Sequence, residues 1–184
     1  MAGFITTVML PLLNRRDQVE VEQIHEYIRS VTKNQKVLLI TGKRPTIRDR
    51  DLKKSNRLEV LDEKDCESHI PFPGKQFEVV IADSVLTGGE EDLLFLLEVK
   101  RVLKNNGSFL APVYVEGRPP IWWRPILKLM DVFLFPTHIQ QNTASYLAFL
   151  KNQGWVLKDC RIFDTIYPMA CPLAKDSGKG QVTT

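Results

Sequence analysis

Three apolar segments of the chain each end in residues that could bind a ligand or cap a turn. These residues are Thr41, Gly42, Asp62, Glu63, Asp83 and Ser84. Carboxylates accept hydrogen bonds from hydroxyl groups, and a glycine lets the backbone come close to a ligand because no Cβ intervenes. A solvated strand end or a turn cap explains Asp62, Asp83 and Ser84 equally well, so the residue types alone leave both interpretations open.

The three histidines and three cysteines predict neither a metal site nor a disulfide framework. Their spacing contains no metal-ligand motif, and an odd number of widely spaced cysteines is typical of reduced thiols. His25 stands among charged residues of a predicted helix, so we expect it to be exposed. His69 and His138 have no partner visible in the sequence. The catalytic residue therefore stays unknown at this stage.

The segment from Pro119 to Pro125 is unusual because it combines prolines with two tryptophans. Trp122 and Trp123 could stack on a flat or lipid-like acceptor. With the basic residues that follow, residues 119–135 could also form a peripheral membrane contact. Packing in a core beneath a loop is the third interpretation, and all three stay open.

Helical and strand patterns alternate along the chain. Helical spacing of apolar residues predicts helices over 17–31, 91–103 and 143–152, with Asn105-Asn106-Gly107 ending the second and Thr143 as the N-cap of the third. Continuous or alternating apolar runs predict strands over 36–41, 57–62, 77–82, 108–115, 155–163 and 167–174. Pro112 predicts a strand end or an irregular ladder within the fourth strand.

This alternation predicts an α/β fold, a mainly parallel sheet flanked by helices. The last two strands are too close in sequence for a helical crossover and are expected to pair antiparallel. We expect one domain over residues 1–175, followed by a polar tail over 176–184.

Composition and charge agree with one globular domain of 184 residues, of which 43% are hydrophobic and 26% charged. A net charge of +3 is too small to predict binding to nucleic acid. The apolar stretch Gly3–Leu13 is too short to cross a bilayer, and its charges follow it rather than precede it. A cytoplasmic location is the resulting expectation, while the sequence predicts no oligomeric state.

Three motifs in sequence order resemble those of one enzyme family. Residues 70–86 read IPFPGKQFEVVIADSVL, residues 97–110 read LEVKRVLKNNGSFL, and residues 146–155 read YLAFLKNQGW. They are similar to the LPFPDGSFDVVISxxVL, LxExxRVLKPGGxLL and YxxFLEexGF segments of class I S-adenosylmethionine-dependent methyltransferases of the type 11, UbiE-like group. The resemblance covers about 100 residues with matching spacing.

The resemblance implies a Rossmann-like sheet that ends in an antiparallel hairpin, with the cofactor S-adenosylmethionine across the carboxyl ends of the first strands. Residues 31–115 would form the cofactor-side core, 116–142 the acceptor or lid segment, and 143–175 the terminal helix and hairpin. The residues implied to bind the cofactor are Thr41, Gly42, Asp62 or Glu63, Asp83 and Ser84. Tyr114, Trp122 and Trp123 would face a small-molecule or lipid-like acceptor.

The chain departs from the family pattern where the cofactor would bind. The turn after the first strand reads TGKRPT, with one glycine where the family has several. Cys66 and Glu67 stand where the family has an acidic residue that contacts adenine, and about 35 residues separate Thr41 from Phe77, room for one crossover. Two hypotheses follow: methyl transfer to a small acceptor, or a methyltransferase-like binding or scaffold domain that has lost the cofactor.

Overall fold

A computed structural model of the chain describes residues 22–42, 45–66, 69–115, 142–163 and 169–176. Residues 22–32 are helical and are named α1. The elements that follow are β1 (Lys36–Thr41), α2 (Asp49–Lys53), β2 (Arg57–Asp62), a 3₁₀ turn (Glu63–Cys66), β3 (Phe77–Asp83), α3 (Asp92–Val102), β4 (Leu103–Leu110), β5 (Val113–Tyr114), α4 (Thr143–Asn152), β6 (Trp155–Phe163) and β7 (Met169–Asp176).

The strands form one seven-stranded sheet in the order β2-β1-β3-β4-β7-β5, with β6 also paired to β7. The pairs among β2, β1, β3 and β4 are parallel, whereas β7 runs antiparallel to β4, β5 and β6. The predicted α/β class and the antiparallel pair at the end of the chain are therefore confirmed.

A core lies on each face of the sheet. Alternate residues of β1 contribute to the two cores: Val37 and Leu39 belong to one, and Leu38 and Ile40 to the other. Helix α1 covers the first face, while α3 and α4 cover the second, so all four of these side chains have no exposed surface. Burial of each contributes about 1.5–3 kcal/mol relative to an exposed position, which explains why a strand this apolar lies between two layers.

The connection from β1 to β2 is short and leaves β2 at the edge of the sheet. Its described residues contain one helix, α2, which has five residues. Between β2 and β3, the described segments hold the 3₁₀ turn and loops, with no strand to cover β2. The carboxyl end of β2 therefore leads directly into a turn beside the sheet, and Val60 in that strand is 40% exposed.

The residues predicted to end α3 and to cap α4 are both wrong, and the strands predicted over 108–115 and 167–174 are displaced to 103–110 with 113–114 and to 169–176. Helix α3 ends at Val102 and β4 begins at once at Leu103, so Asn105-Asn106-Gly107 does not end the helix but lies within the strand. These residues form an irregular stretch, because Phe77 pairs with Leu103 while Val79 pairs with Ser108. Gly107 is required there: a Cβ would lie 2.7 Å from the Leu103 side chain and 3.0 Å from the Lys104 carbonyl oxygen.

The other difference concerns the start of α4. Asn142, not Thr143, is the N-cap, since its side chain accepts hydrogen bonds from the N–H groups of Ala144 and Ser145. The prediction for Pro112 is confirmed, because the proline falls in the break between β4 and β5.

The loop after β1 is fastened to the end of β3. The Gly42 N–H donates to the Asp83 carbonyl oxygen over 2.9 Å. A Cβ at Gly42 would overlap the Ser84 carbonyl oxygen and lie 2.8 Å from the Ser84 carbonyl carbon. The Asp83 carboxylate is fully buried and accepts from the N–H groups of Thr46 at 2.6 Å and Ile47 at 2.7 Å.

His25 of α1 holds the same loop from the other side. Its Nε2 lies 3.3 Å from the Arg48 N–H, and its side chain is 2% exposed. The expectation of an exposed His25 is therefore wrong, because residues 45–48 fold back over α1 and cover it. The loop thus has two buried anchors, one on a helix and one on a strand.

Replacing Gly42 with alanine should destabilise the protein by about 3 kcal/mol, since the added methyl group meets backbone that cannot move without breaking the β1–β3 pairing. Urea denaturation measures the change in the free energy of unfolding. Gly74→Ala is the matched control, because its Cβ meets the Arg101 carbonyl oxygen at 3.2 Å on an exposed loop. Equal losses of stability in the two variants would contradict a special packing requirement at Gly42.

Asp83→Asn should change how stability depends on pH. Burial raises the pKa of Asp83 from 3.8 to about 6, although the N–H groups of Ile47 and Thr46 act to lower it. Because the folded pKa is raised, this contribution is fully present below about pH 4 and is lost as the pH rises through 6. The stability of the native protein relative to the Asn variant should fall by about 2–3 kcal/mol between pH 4 and pH 7. Urea titrations at both pH values measure the free energy of unfolding of the two proteins. A difference between them that does not change with pH would rule out the raised pKa of Asp83.

Candidate functional site

A cavity of about 420 Å³ lies at the carboxyl edge of the sheet. It is bounded by the 3₁₀ turn that follows β2, by the loop that follows β3 and by the start of α3. The side chains that line it are Glu63, Lys64, Cys66, Val85, Glu91, Asp92 and Phe95. In open α/β sheets, ligands bind outside the carboxyl ends of the strands, and this cavity has that position.

Asp62 and Cys66 shape the β2 side of the cavity. The Asp62 side chain accepts a hydrogen bond from the Lys64 N–H over 3.1 Å, which starts the 3₁₀ turn. The turn places Cys66 inward, where it is 2% exposed. Burial, together with the charges of Asp65 and Asp62, raises the pKa of this thiol to about 11. Cys66 therefore stays protonated near neutral pH and offers an apolar contact rather than a nucleophile.

Asp92 holds the opposite wall in place. Its carboxylate accepts hydrogen bonds from the N–H groups of Thr87 at 2.8 Å and Gly88 at 2.6 Å. Burial raises the pKa of Asp92, although the hydrogen bonds from Gly88 and Thr87 act to lower it. The Thr87 hydroxyl donates to Glu91, and this contact, with one from the Glu91 backbone, keeps the pKa of the exposed Glu91 below its ordinary value.

The segment that leads from the cavity to β3 is fixed by Arg101. Its guanidinium donates to the carbonyl oxygens of Ile70 and Phe72, each at 2.8 Å, and forms an ion pair of 2.7 Å with Glu98. Arg101 lowers the pKa of Glu98 to about 2. His69 lies 2.7 Å from the same carboxylate, so it takes part in fastening this segment and lies outside the cavity lining.

The lining combines negative charge with apolar walls. The three carboxylates of Glu63, Glu91 and Asp92 outnumber the one cation of the lining, Lys64, while Val85, Phe95 and Cys66 provide the apolar surface. Carboxylates of this kind accept hydrogen bonds from ligand hydroxyls and favour a ligand that carries positive charge. The apolar side chains can contact a flat ring. The cavity can therefore hold a ligand with a ring, hydroxyl groups and a cationic centre.

The structure brings the predicted residues of β1 and β3 together at one point beside this cavity. Thr41 pairs in register with Asp62 on one side and Asp83 on the other, and its hydroxyl donates to the Leu61 carbonyl oxygen at 3.2 Å. Ser84 has a φ of 57° and donates its N–H to the Pro112 carbonyl oxygen at 3.2 Å. Of the predicted site residues that the structure describes, Glu63 is the one that lines the cavity.

Asp83 and Gly42 are used within the protein itself, since the carboxylate holds Thr46 and Ile47 and the glycine packs against Ser84. Glu91, Asp92 and Phe95 line the cavity but were not predicted from the sequence. A Thr-Gly-Gly turn followed by acidic residues, at positions 87–92, was the available signal, since such turns use a carboxylate to bind their N–H groups.

Of the three predicted acceptor residues, the structure describes one, Tyr114. Tyr114 lies in β5, where it pairs with Met169. Trp122, Trp123 and the segment 119–135 lie outside the described residues, as do Glu67 and the tail from 177 onward. Within the described part of the chain, no group of three or more His, Cys, Asp or Glu side chains is arranged to hold a metal ion. The helices described there include none long and apolar enough to span a membrane.

Solved structures of similar fold include several enzymes. A Burkholderia thailandensis 1,6-didemethyltoxoflavin-N1-methyltransferase, solved with its substrate and S-adenosylhomocysteine, is 11% identical with a TM-score of 0.60, covering 96% of this chain and 86% of its own. An S-adenosylmethionine-dependent methyltransferase from Aquifex aeolicus is 14% identical, with a TM-score of 0.56 and coverage of 86% and 97%. The [4+2]-cyclase SpnF is also 14% identical, with a TM-score of 0.55 and coverage of 85% and 81%.

The sequence itself also has a family match. A search of curated proteins finds no match, whereas residues 23–111 match the family model described as a methyltransferase domain. This range runs from α1 through the break after β4 and contains every residue that lines the cavity. Residues 23–111 are thus similar to a methyltransferase domain, and the chain has the fold of solved structures that include S-adenosylmethionine-dependent methyltransferases.

Proposed function

We propose that this protein binds S-adenosylmethionine in the cavity at the carboxyl edge of the sheet and catalyses methyl transfer to a small-molecule or lipid-like acceptor. The observation that supports this most is the lining of that cavity, which places the Glu63 carboxylate beside the apolar side chains of Val85 and Phe95. The cavity lies within the matched methyltransferase domain.

The chemistry of the lining fits the cofactor. The Glu63 carboxylate would accept hydrogen bonds from the ribose hydroxyls, and Val85 with Phe95 would flank the adenine ring. The excess of carboxylates over cations suits a ligand whose sulfonium is positively charged. When bound, that sulfonium supplies an activated methyl group, so the protein has mainly to align an acceptor with it.

The side chains around the cavity position a ligand rather than exchange protons with it. Asp92 is occupied by the N–H groups of Thr87 and Gly88, and it keeps the wall of the cavity in place. Cys66 is protonated near neutral pH and limits access of water to the apolar side. The proposed transfer assigns no side chain as a catalytic base.

We also propose that the protein acts in the cytoplasm.

A second candidate function is a methyltransferase-like binding domain that does not take up the cofactor. The fastened loop after β1 favours it: Asp83 holds Thr46 and Ile47, and Gly42 leaves no space against Ser84. A ligand that needed these groups would have to displace their present partners. The similarity to a [4+2]-cyclase also indicates that this fold serves more than one chemistry.

Isothermal titration with S-adenosylhomocysteine separates the two candidates. The native protein should release or absorb heat with a saturable profile, and Glu63→Gln should weaken binding by about tenfold or more, since a charged acceptor is lost. Glu59→Gln, on the strand that precedes Glu63, is the matched control, because Glu59 is exposed and does not line the cavity. Absence of heat and of any thermal shift at millimolar S-adenosylmethionine and S-adenosylhomocysteine would favour the binding domain.

Methyl transfer can be measured with a cofactor that carries a tritiated methyl group and a fractionated extract of small molecules and lipids. The native protein should label a component of one fraction, and Glu63→Gln should reduce labelling most strongly at low cofactor concentration because it weakens cofactor binding. Cofactor binding without labelling of any fraction would contradict the proposed transfer while leaving the binding site intact.

A further inference from the structure

A second cavity, of about 500 Å³, lies at the opposite edge of the sheet, where the strands begin. It opens between the amino ends of β1, β2, β3 and β4 and the end of α2. Five basic side chains line it, and we call it the basic cleft: Lys36, Lys53, Lys54, Arg57 and Lys104. Nothing in the proposed methyl transfer uses this edge.

The charges of the basic cleft are only partly balanced. Lys53 forms an ion pair of 2.8 Å with Asp49, and Lys54 lies 3.8 Å from Asp51. Among the described residues, neither Lys36 nor Arg57 has a carboxylate within the 4.0 Å of an ion pair. Two cations therefore lack an ion-pair partner in a concave site.

Glu78, the acidic residue of the lining, is already engaged. One carboxylate oxygen lies 2.9 Å from the Lys104 ammonium, and the other accepts the Lys36 backbone N–H at 2.7 Å. Lys104, this N–H group and the nearby Arg57 all lower the pKa of Glu78. Glu78 thus stays ionised but uses its oxygens on these two donors. The Lys36 ammonium itself lies 5.3 Å from the centre of the Phe77 ring, which fixes its direction without neutralising it.

The backbone that carries these cations is held rigidly. The Asn34 N–H donates to the Ser55 carbonyl oxygen at 3.0 Å, and the Arg57 N–H donates to the Gln35 carbonyl oxygen at 3.1 Å. The Asn56 side chain accepts the Gln35 N–H at 3.1 Å. These bonds tie the end of α1 to the start of β2, so the positions from which Lys36 and Arg57 extend are set in advance of any ligand.

From this arrangement we propose that the basic cleft binds a small ligand through its phosphate groups. Lysine and arginine are the residues that recognise phosphate, arginine through two parallel hydrogen bonds. The lining contains no aromatic side chain on which a nucleobase could stack. This argues for a compact polyphosphate or phosphorylated metabolite rather than a single-stranded nucleic acid.

Binding of inorganic tripolyphosphate tests the proposal by calorimetry at 50 and 200 mM NaCl. The native protein should bind it saturably and more weakly at the higher salt concentration, because screening shortens the range of the charges. The double variant Lys36→Gln with Arg57→Gln should weaken binding at least tenfold. Its matched control, Lys151→Gln with Lys158→Gln, removes two exposed cations of α4 and β6 and should change the affinity less than twofold.

Two further measurements define the outcome. A nucleoside triphosphate that binds as tightly as tripolyphosphate indicates recognition of phosphate alone, and tighter binding indicates a nucleotide ligand; both support the proposal. Equal losses in the two double variants, or no saturable binding, would overturn it. Tighter binding of a ten-nucleotide RNA that the cleft variant abolishes would also overturn it. Thermal unfolding and binding of S-adenosylhomocysteine check that the cleft variant remains folded.

Discussion

The close approach of β1 to β3 at the carboxyl edge is the constraint on which the arrangement of this protein depends. Gly42 lies so near Ser84 that no side chain fits between them, and the Asp83 carboxylate binds the loop that comes next. This contact fixes the direction in which the chain leaves β1. It therefore determines where the short connection to β2 begins, and the Asp83 carboxylate fixes that connection again at Thr46 and Ile47.

The two ends of the sheet have different environments. At the carboxyl edge, the loops after β2 and β3 enclose a cavity with acidic and apolar side chains. At the amino edge, the strand starts carry lysines and an arginine around a concave surface. Parallel pairing produces this separation, because it brings all strand ends of one kind to one edge. The basic side chains at the amino edge are thus separated by the length of a strand from the acidic side chains at the carboxyl edge.

Much of the fold could be predicted from the sequence, because burial on both faces leaves a direct trace in residue type. The run Val37–Ile40 predicted a buried parallel strand, and that strand lies between two parallel neighbours, β2 and β3. His25 could not be predicted, because its burial depends on a loop that returns from residues 45–48. Asn105-Asn106-Gly107 has the composition of a helix end, and only the pairing of β4 with β3 reveals it as an irregular stretch of strand.

The site was less predictable than the fold. Glu63 could be named because it follows a strand, whereas Asp92 and Phe95 enter the cavity from a helix that pattern alone assigned to packing. For Asp83, the residue type indicated a functional or a capping role equally, and its partners Thr46 and Ile47 are close in space but 37 and 36 residues away in the chain. Such contacts depend on tertiary structure and have no local signal.

The exposed edge strand has a consequence for self-association. Among the described residues β2 pairs with β1 alone, and a row of unpaired N–H and C=O groups can recruit strands from other molecules. Arg57, Glu59 and Asp62 place charges of both signs along its six residues. Another strand added there would have to bury or match those charges at fixed register, which disfavours stacking of copies through this edge. The charges along β2 thus protect an edge that the described residues leave unpaired.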